Sequence, residues 1–201
     1  VSAISAAVVQ DLRQRTGAGM MDCKKALVET QGDLDKAVEF LRKKGISSAD
    51  KKAGRETKQG SITSYIHGGG RIGVLVEINC ETDFVARNEN FQAFCQDVAM
   101  QIAATNPRFL NRESVPAEVI EKEKEILKEQ LRAQGKPEAV WEKILVGKVD
   151  KFYQENCLLE QAFVKDTDRS IHEYLKETIS KIGENIVIAR YSRFELGQSD
   201  A

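Results

Sequence analysis

Between residues 72 and 79 the apolar positions Ile72, Val74, Val76 and Ile78 alternate with Gly73, Leu75, Glu77 and Asn79. A period of two puts one set on a single face of a β-strand, so the segment predicts a strand with a buried face. Further on, Phe91, Phe94, Val98 and Ile102 recur at helical spacing and predict a helix whose apolar stripe faces a core. A polar break, Cys80-Glu81-Thr82-Asp83, separates the two patterns and delivers Phe84 near a strand-to-helix corner. There the ring either packs as one more core residue or stands out as a binding wedge, and the pattern leaves both open.

Before this strand, residues 1–45 predict a compact three-helix unit. Ser2 caps a helix carrying Ile4, Val8 and Leu12; Asp22 caps one carrying Cys23, Ala26 and Leu27; Asp33 caps one carrying Leu34, Ala37, Val38 and Leu41. Gly32 and Gly45 are expected to stop the second and third helices. The loop from Thr16 to Met21 sets Met20 and Met21 after two glycines, as flexible core filler or as an exposed binding tip. No apolar face can be drawn through residues 46–60, which read as a linker or a poorly buried helix with the basic run Lys51, Lys52 and Arg55.

Beyond residue 60, Ser61 to His67 and Arg71 to Asn79 predict a hairpin around Gly68-Gly69-Gly70. That triplet leads into a strand and lacks a following Gly-Lys-Ser/Thr, so it is not a phosphate-binding loop. Pro116 to Asn156 predicts an antiparallel helical hairpin, turned at Gly135 and restarted at Pro137, that projects from the body or pairs with another chain. Ser170 with Glu173 forms a capping-box pattern, Gly183 ends the helix it opens, and Ile186 to Phe194 predicts a strand with apolar residues on both faces. Such a strand is central, or belongs to a sheet face that pairs with another subunit. The fold class is therefore α+β: a three-helix domain over 1–45, a linker over 46–60, and a core domain over 61–201 built on a small antiparallel sheet with helices, carrying the helical hairpin of about 116–156.

Composition narrows the function. The 201 residues hold 41% hydrophobic and 30% charged side chains with a net charge of −1, which fits a soluble protein and argues against a strongly electrostatic nucleic-acid binder. No apolar run approaches the roughly 18 to 20 residues of a membrane span, and nothing reads as a signal peptide. Cys23, Cys80, Cys95 and Cys157, with His67 and His172, are too scattered for a zinc site or a disulfide framework, so buried free thiols and no metal are expected. No strand end gathers a nucleophile, a base and an orienting acid, which argues against covalent catalysis and leaves no catalytic residue or cofactor to name. An RNA-binding or general interaction module using Lys51, Lys52, Arg55, Lys58 and Tyr65 stays open as the alternative class.

Three segments carry a resemblance to a known family: Arg15 to Leu27 (RTGAGMMDCKKAL), Asn79 to Arg87 (NCETDFVAR) and Lys181 to Ile186 (KIGENI), in that order. The chain resembles bacterial and organellar translation elongation factor Ts, in its short form with one core module where longer members carry two. The resemblance implies an N-terminal domain similar to ubiquitin-associated folds. It also implies a guanine nucleotide exchange factor that binds elongation factor Tu, disturbs its magnesium and phosphate region, and is displaced by GTP. Carried onto this sequence, the partner-binding residues are Thr82, Asp83, Phe84 and Val85 at the corner, Met20, Met21, Lys24 and Arg13 on the N-terminal unit, and Lys52 in the linker. Asp83 and Phe84 are the expected wedge. A homodimer would supply the second core in trans and give a two-plus-two complex, in the cytoplasm or in an organellar stroma or matrix, without membrane or direct nucleic-acid contact.

Overall fold

The computed structural model describes residues 4–198. In chain order these form α1 (Ala6–Thr16), α2 (Met20–Glu29), α3 (Leu34–Asp50), β1 (Gln59–His67), β2 (Ile72–Cys80), α4 (Asp83–Ala86) and α5 (Glu89–Thr105). There follow α6 (Ala117–Ala133), α7 (Trp141–Asn156), β3 (Ala162–Phe163), β4 (Asp166–Ser170), α8 (Ile171–Ile182) and β5 (Ile186–Glu195). The class is α+β, as the alternation of periods two and 3.6 predicts. Two compact units arise: one from Val1–Ile62, Glu77–Cys95 and Leu175–Ala189, the other from Thr63–Val76, Gln96–Tyr174 and Arg190–Ala201.

In the first unit α1, α2 and α3 close on Val9, Leu12, Cys23, Ala26, Leu27, Ala37 and Leu41. Asp33 caps α3 as expected, its carboxylate accepting from the Lys36 amide at 3.0 Å. The other two caps differ. Ser5, not Ser2, caps α1 and accepts from the Val8 amide, while Ser2 lies outside the described residues. The second helix begins at Met20 behind an extended Gly19, so Asp22 sits inside its first turn, where its charge favours the positive helix end. Gly45 is no stop either, because α3 runs through it to Asp50 and takes up the start of the stretch read as a linker. A Cβ at residue 45 would meet Ser180 Oγ at 3.1 Å, so the glycine serves a close approach to α8. Arg42 with Glu177, at 3.2 Å, and Lys176 with Asp50, at 2.8 Å, join the same two helices.

The main sheet has the order β1-β2-β5. Gly68, Gly69 and Gly70 turn β1 into β2 with φ angles of 61°, 67° and 90°, a backbone open to few other residues. The Leu196 amide, just past the end of β5, donates to the Arg71 carbonyl just before β2, so β5 runs antiparallel to β2. Val74, Val76 and Ile78 are buried, as the alternation demands, and so are Phe91, Phe94, Val98 and Ile102 of α5. The last strand lies at an edge of this sheet, which excludes the central position expected as one reading. Ile186 and Ile188 are buried there and Val187 is exposed.

In the second unit α6 and α7 pack as the expected helical hairpin, with Ile120, Leu127, Leu131 and Phe152 buried. Trp141 donates from Nε1 to the Lys136 carbonyl at 2.8 Å and lies under Arg132, which fixes the turn. Pro137 leads into a single 3-10 turn, and α7 proper starts at Trp141. The β3–β4 ribbon had no apolar alternation to announce it. It is held by Gln101, a fully buried side chain that donates to the Ala162 carbonyl at 3.1 Å and accepts from the Val164 amide at 2.9 Å. Ser170 and Glu173 make the capping box that opens α8.

Candidate partner-binding site

The corner after β2 is built almost entirely from hydrogen bonds. Cys80 ends the strand, buried, with its thiol donating to the Thr82 carbonyl at 3.2 Å and pushed up to about 11 by burial. All four cysteines are buried and none is in a disulfide, the state expected of structural thiols. Thr82 is extended, with φ −126° and ψ 156°, and its Oγ1 accepts from the Val85 amide as the N-cap of α4. Glu184 then closes on it from the far end of the chain. Its two carboxylate oxygens accept from the Thr82 amide at 3.0 Å and from the Thr82 hydroxyl at 2.7 Å.

The neighbouring residues repeat the pattern. Glu81 accepts from the Asn185 amide at 2.7 Å and from Arg55 at 3.3 Å. The Asn185 amide, and after it the Arg55 guanidinium, hold the Glu81 carboxyl below its ordinary range. Asn185 is buried and donates from Nδ2 to the Arg55 and Ala53 carbonyls at 2.8 and 3.4 Å. These contacts pin the stretch around residues 53–55 to the corner through named atoms.

On this frame α4 buries none of its residues. Phe84 is 83% exposed, so the core reading of its ring is excluded and the presented one holds. Asp83 is also exposed and forms an ion pair with Arg87 one turn on, while Val85 is half-buried. Gln92 donates from Nε2 to the Ala86 carbonyl and secures the outgoing end. A large aromatic held in water by a capped turn is a surface suited to another macromolecule.

On the N-terminal helices Met21 is 76% exposed and Met20 44%, so filler is not their role. Met21, Lys24 and Val28, all exposed, share one face of α2 at helical spacing. Arg13 is exposed on α1. Lys52 is half-buried instead, its Nζ donating to the Ser48 hydroxyl at 2.8 Å and to the Ser48 carbonyl at 3.3 Å, so it is engaged within its own segment. All these residues belong to the first compact unit. Glu81, Arg55, Glu184 and Asn185 are the residues that site reasoning on the sequence missed. Glu184 and Asn185 were signalled only by the distinct segment Lys181 to Ile186, Glu81 by its place in Asn79 to Arg87, and Arg55 by the basic run after residue 50.

Comparison with known proteins bears on the same segments. A sequence profile described as Elongation factor TS matches residues 45–198. Elongation factor Ts of Syntrophomonas wolfei is 61% identical over 195 residues, covering 97% of this chain and 91% of its own. This chain belongs to the elongation factor Ts family. Elongation factor Ts of Geobacter sulfurreducens is 60% identical, covering 97% of this chain and 90% of the relative, and that of Moorella thermoacetica is 57% identical with 97% and 96% covered.

The three segments that carry the resemblance in this sequence all fall in the first unit, where they touch. Glu184 and Asn185 bind Thr82 and Glu81, and Lys181 packs on Gly17, where a Cβ would lie 2.8 Å from Lys181 Cε. At a φ of 67° residue 17 also favours glycine on backbone grounds. Among the described residues no helix is long and apolar enough to cross a membrane.

Proposed function

We propose that this protein is a guanine nucleotide exchange factor that binds elongation factor Tu and promotes GDP release with the Thr82-Asp83-Phe84 corner. The observation that supports it is the exposure of Phe84, 83%, on a helix with no fully buried residue, in a chain of this family. Desolvating that ring in a partner pocket is worth on the order of 1.5 to 3 kcal/mol. Asp83 brings a carboxylate to the metal and phosphate region, where it competes with contacts that hold the nucleotide. To be used there, it exchanges its Arg87 partner for contacts on the G protein.

No bond is made or broken in this mechanism. The factor prefers the nucleotide-free G protein, and by linkage the nucleotide weakens the factor to the same degree. A shift of four decades needs about 5.5 kcal/mol of differential affinity, more than one ring supplies. The remainder is assigned to a docking face of Met20, Met21, Lys24 and Arg13 on the N-terminal domain, with Lys52 at its margin. Cellular GTP refills the opened site and expels the factor in the cytoplasm, so residues 1–45 dock while 61–201 present the wedge.

A second copy of the chain completes the assembly in this reading. Ile66 of β1 and Leu75 of β2, 65% and 49% exposed, leave apolar surface in water on adjacent strands, and Val187 of β5 is 39% exposed. An isologous pairing would cover such side chains and give a two-plus-two complex with elongation factor Tu.

The deciding experiment loads elongation factor Tu with labelled GDP and follows release in excess unlabelled nucleotide. Saturable acceleration is expected, and unchanged release at saturating protein overturns the reading.

A further inference from the structure

We infer that Glu184 is a positioning residue for exchange: its carboxylate fixes the Thr82 corner and thereby holds the Phe84 ring in the orientation that engages the partner. The inference rests on the exchange reading above and adds a residue distant in sequence to the corner that performs it. A helix as short as α4, four residues, cannot sustain itself, because nucleation fixes several residues for one hydrogen bond. Helices of that kind normally persist by burying an apolar face, and α4 buries none of its residues. With only Val85 and Ala86 half-buried, polar ties at its two ends do much to set its direction. At the outgoing end the Gln92 side chain donates to the Ala86 carbonyl, and the Asn88 amide donates to the Val85 carbonyl at 2.9 Å. At the incoming end Glu184 takes both the amide and the hydroxyl of Thr82, at 3.0 and 2.7 Å. The second of these bonds also orients the Thr82 hydroxyl so that its lone pair faces the Val85 amide it caps. One carboxylate thus sets the cap, the cap sets the turn, and the turn carries the ring.

Glu184 is itself well seated. It follows Gly183 at the end of α8 and precedes Asn185, which is buried and bonded to Glu81, Arg55 and Ala53. The carboxylate is thus held beside Thr82 whether or not a partner is present, which preorganises the corner before docking.

The test compares wild type, Glu184→Ala, Phe84→Ala and the double variant. The saturating GDP-release rate and the half-saturating concentration are read on elongation factor Tu, and amide hydrogen exchange of residues 83–86 is read on the free protein. Glu184→Ala is expected to lower the saturating rate about tenfold, the loss of one net hydrogen bond to a charged group. The double variant is expected to lose clearly less than the product of the two single losses, because Glu184 acts through the corner that carries the ring. Amides 83–86 should exchange faster while those of α5 keep their protection. Losses that multiply in the double variant, or unaltered protection of 83–86, overturn the inference. Glu184→Gln keeps one acceptor for the Thr82 amide and should recover part of the rate. If the alanine variant does not fold, the glutamine variant with and without Phe84→Ala carries the same comparison. Absence of any wild-type stimulation would overturn the exchange reading instead, and the amide-exchange measurement would still decide whether Glu184 orders the corner.

Discussion

Glu184 accepts two hydrogen bonds from Thr82, a residue 102 positions earlier in the chain, and this pair joins two of the three segments that carry the resemblance. The third joins through Lys181 against Gly17. The proposed recognition surface and its supports are thus assembled in one compact unit from three widely separated stretches. The division of labour is legible: Phe84 and Met21 face water, while Glu184, Asn185 and Lys181 hold the backbone that presents them.

The exposure of Phe84 makes its replacement nearly neutral for stability. Phe84→Ala should shift unfolding by no more than about 0.5 kcal/mol while abolishing most of the exchange. Phe91→Ala is the control, because that ring is fully buried and its loss should cost about 3 to 5 kcal/mol. Thermal unfolding of both variants, read beside GDP release, checks the contrast. A large loss of stability in Phe84→Ala would return the ring to the core.

Met21 and Lys24 are exposed one turn apart on α2, so they can be removed without opening the bundle core. The double replacement Met21→Ala with Lys24→Ala should weaken binding to nucleotide-free elongation factor Tu by at least about tenfold, with the helical signal unchanged. Cutting the chain at residue 45 is a poorer test, because α3 continues to Asp50 and is tied to α8. Titration calorimetry with the intact double variant decides, and equal affinity would remove this face from the site.

Charged replacements at Leu75 or Val187 should split the proposed dimer, since each puts a charge where apolar surface would be covered. Tyr191 offers a poorer test: it is half-buried, its hydroxyl donates to the Pro107 carbonyl at 3.0 Å and burial raises its pKa, so it is already engaged within its own subunit. Tyr191→Phe should instead cost about 1 kcal/mol of stability with the assembly state unchanged. Sedimentation equilibrium separates these outcomes. A wild-type mass of 22.4 kDa would show a monomer.

Glu81 gives the corner a pH dependence. Its carboxyl is held below its ordinary value of 4.5, so the folded state binds that proton less readily than the unfolded chain. The stabilisation is fully present above pH 4.5 and is lost as the pH falls through the folded-state pKa. Glu81→Gln removes this titration, so the gap in melting temperature between wild type and variant should close on going from about pH 6 to about pH 3. A constant gap would mean that the Asn185 and Arg55 contacts do not depend on the charge.

What the sequence determined by itself was whatever repeats locally. Alternation at Ile72 to Ile78 and helical spacing at Phe91 to Ile102 follow from two backbone periods, and the same rules located the hairpin at Gly68 to Gly70 and the capping box at Ser170. Family membership was also legible, because three distinctive segments stand in order. Tertiary structure alone decided that α3 passes through Gly45, since a glycine reads as a stop until a neighbour such as Ser180 is seen to need the space. It alone decided that β3 and β4 pair, because their order comes from the buried Gln101 amide and not from an apolar face. It alone placed Phe84 in water, since a single aromatic after a polar break has no periodic partners to say which way it faces. Above all, the ties from Glu184 to Thr82 and from Asn185 to Glu81 join residues about a hundred positions apart through individual hydrogen bonds, and such bonds leave no period along the chain.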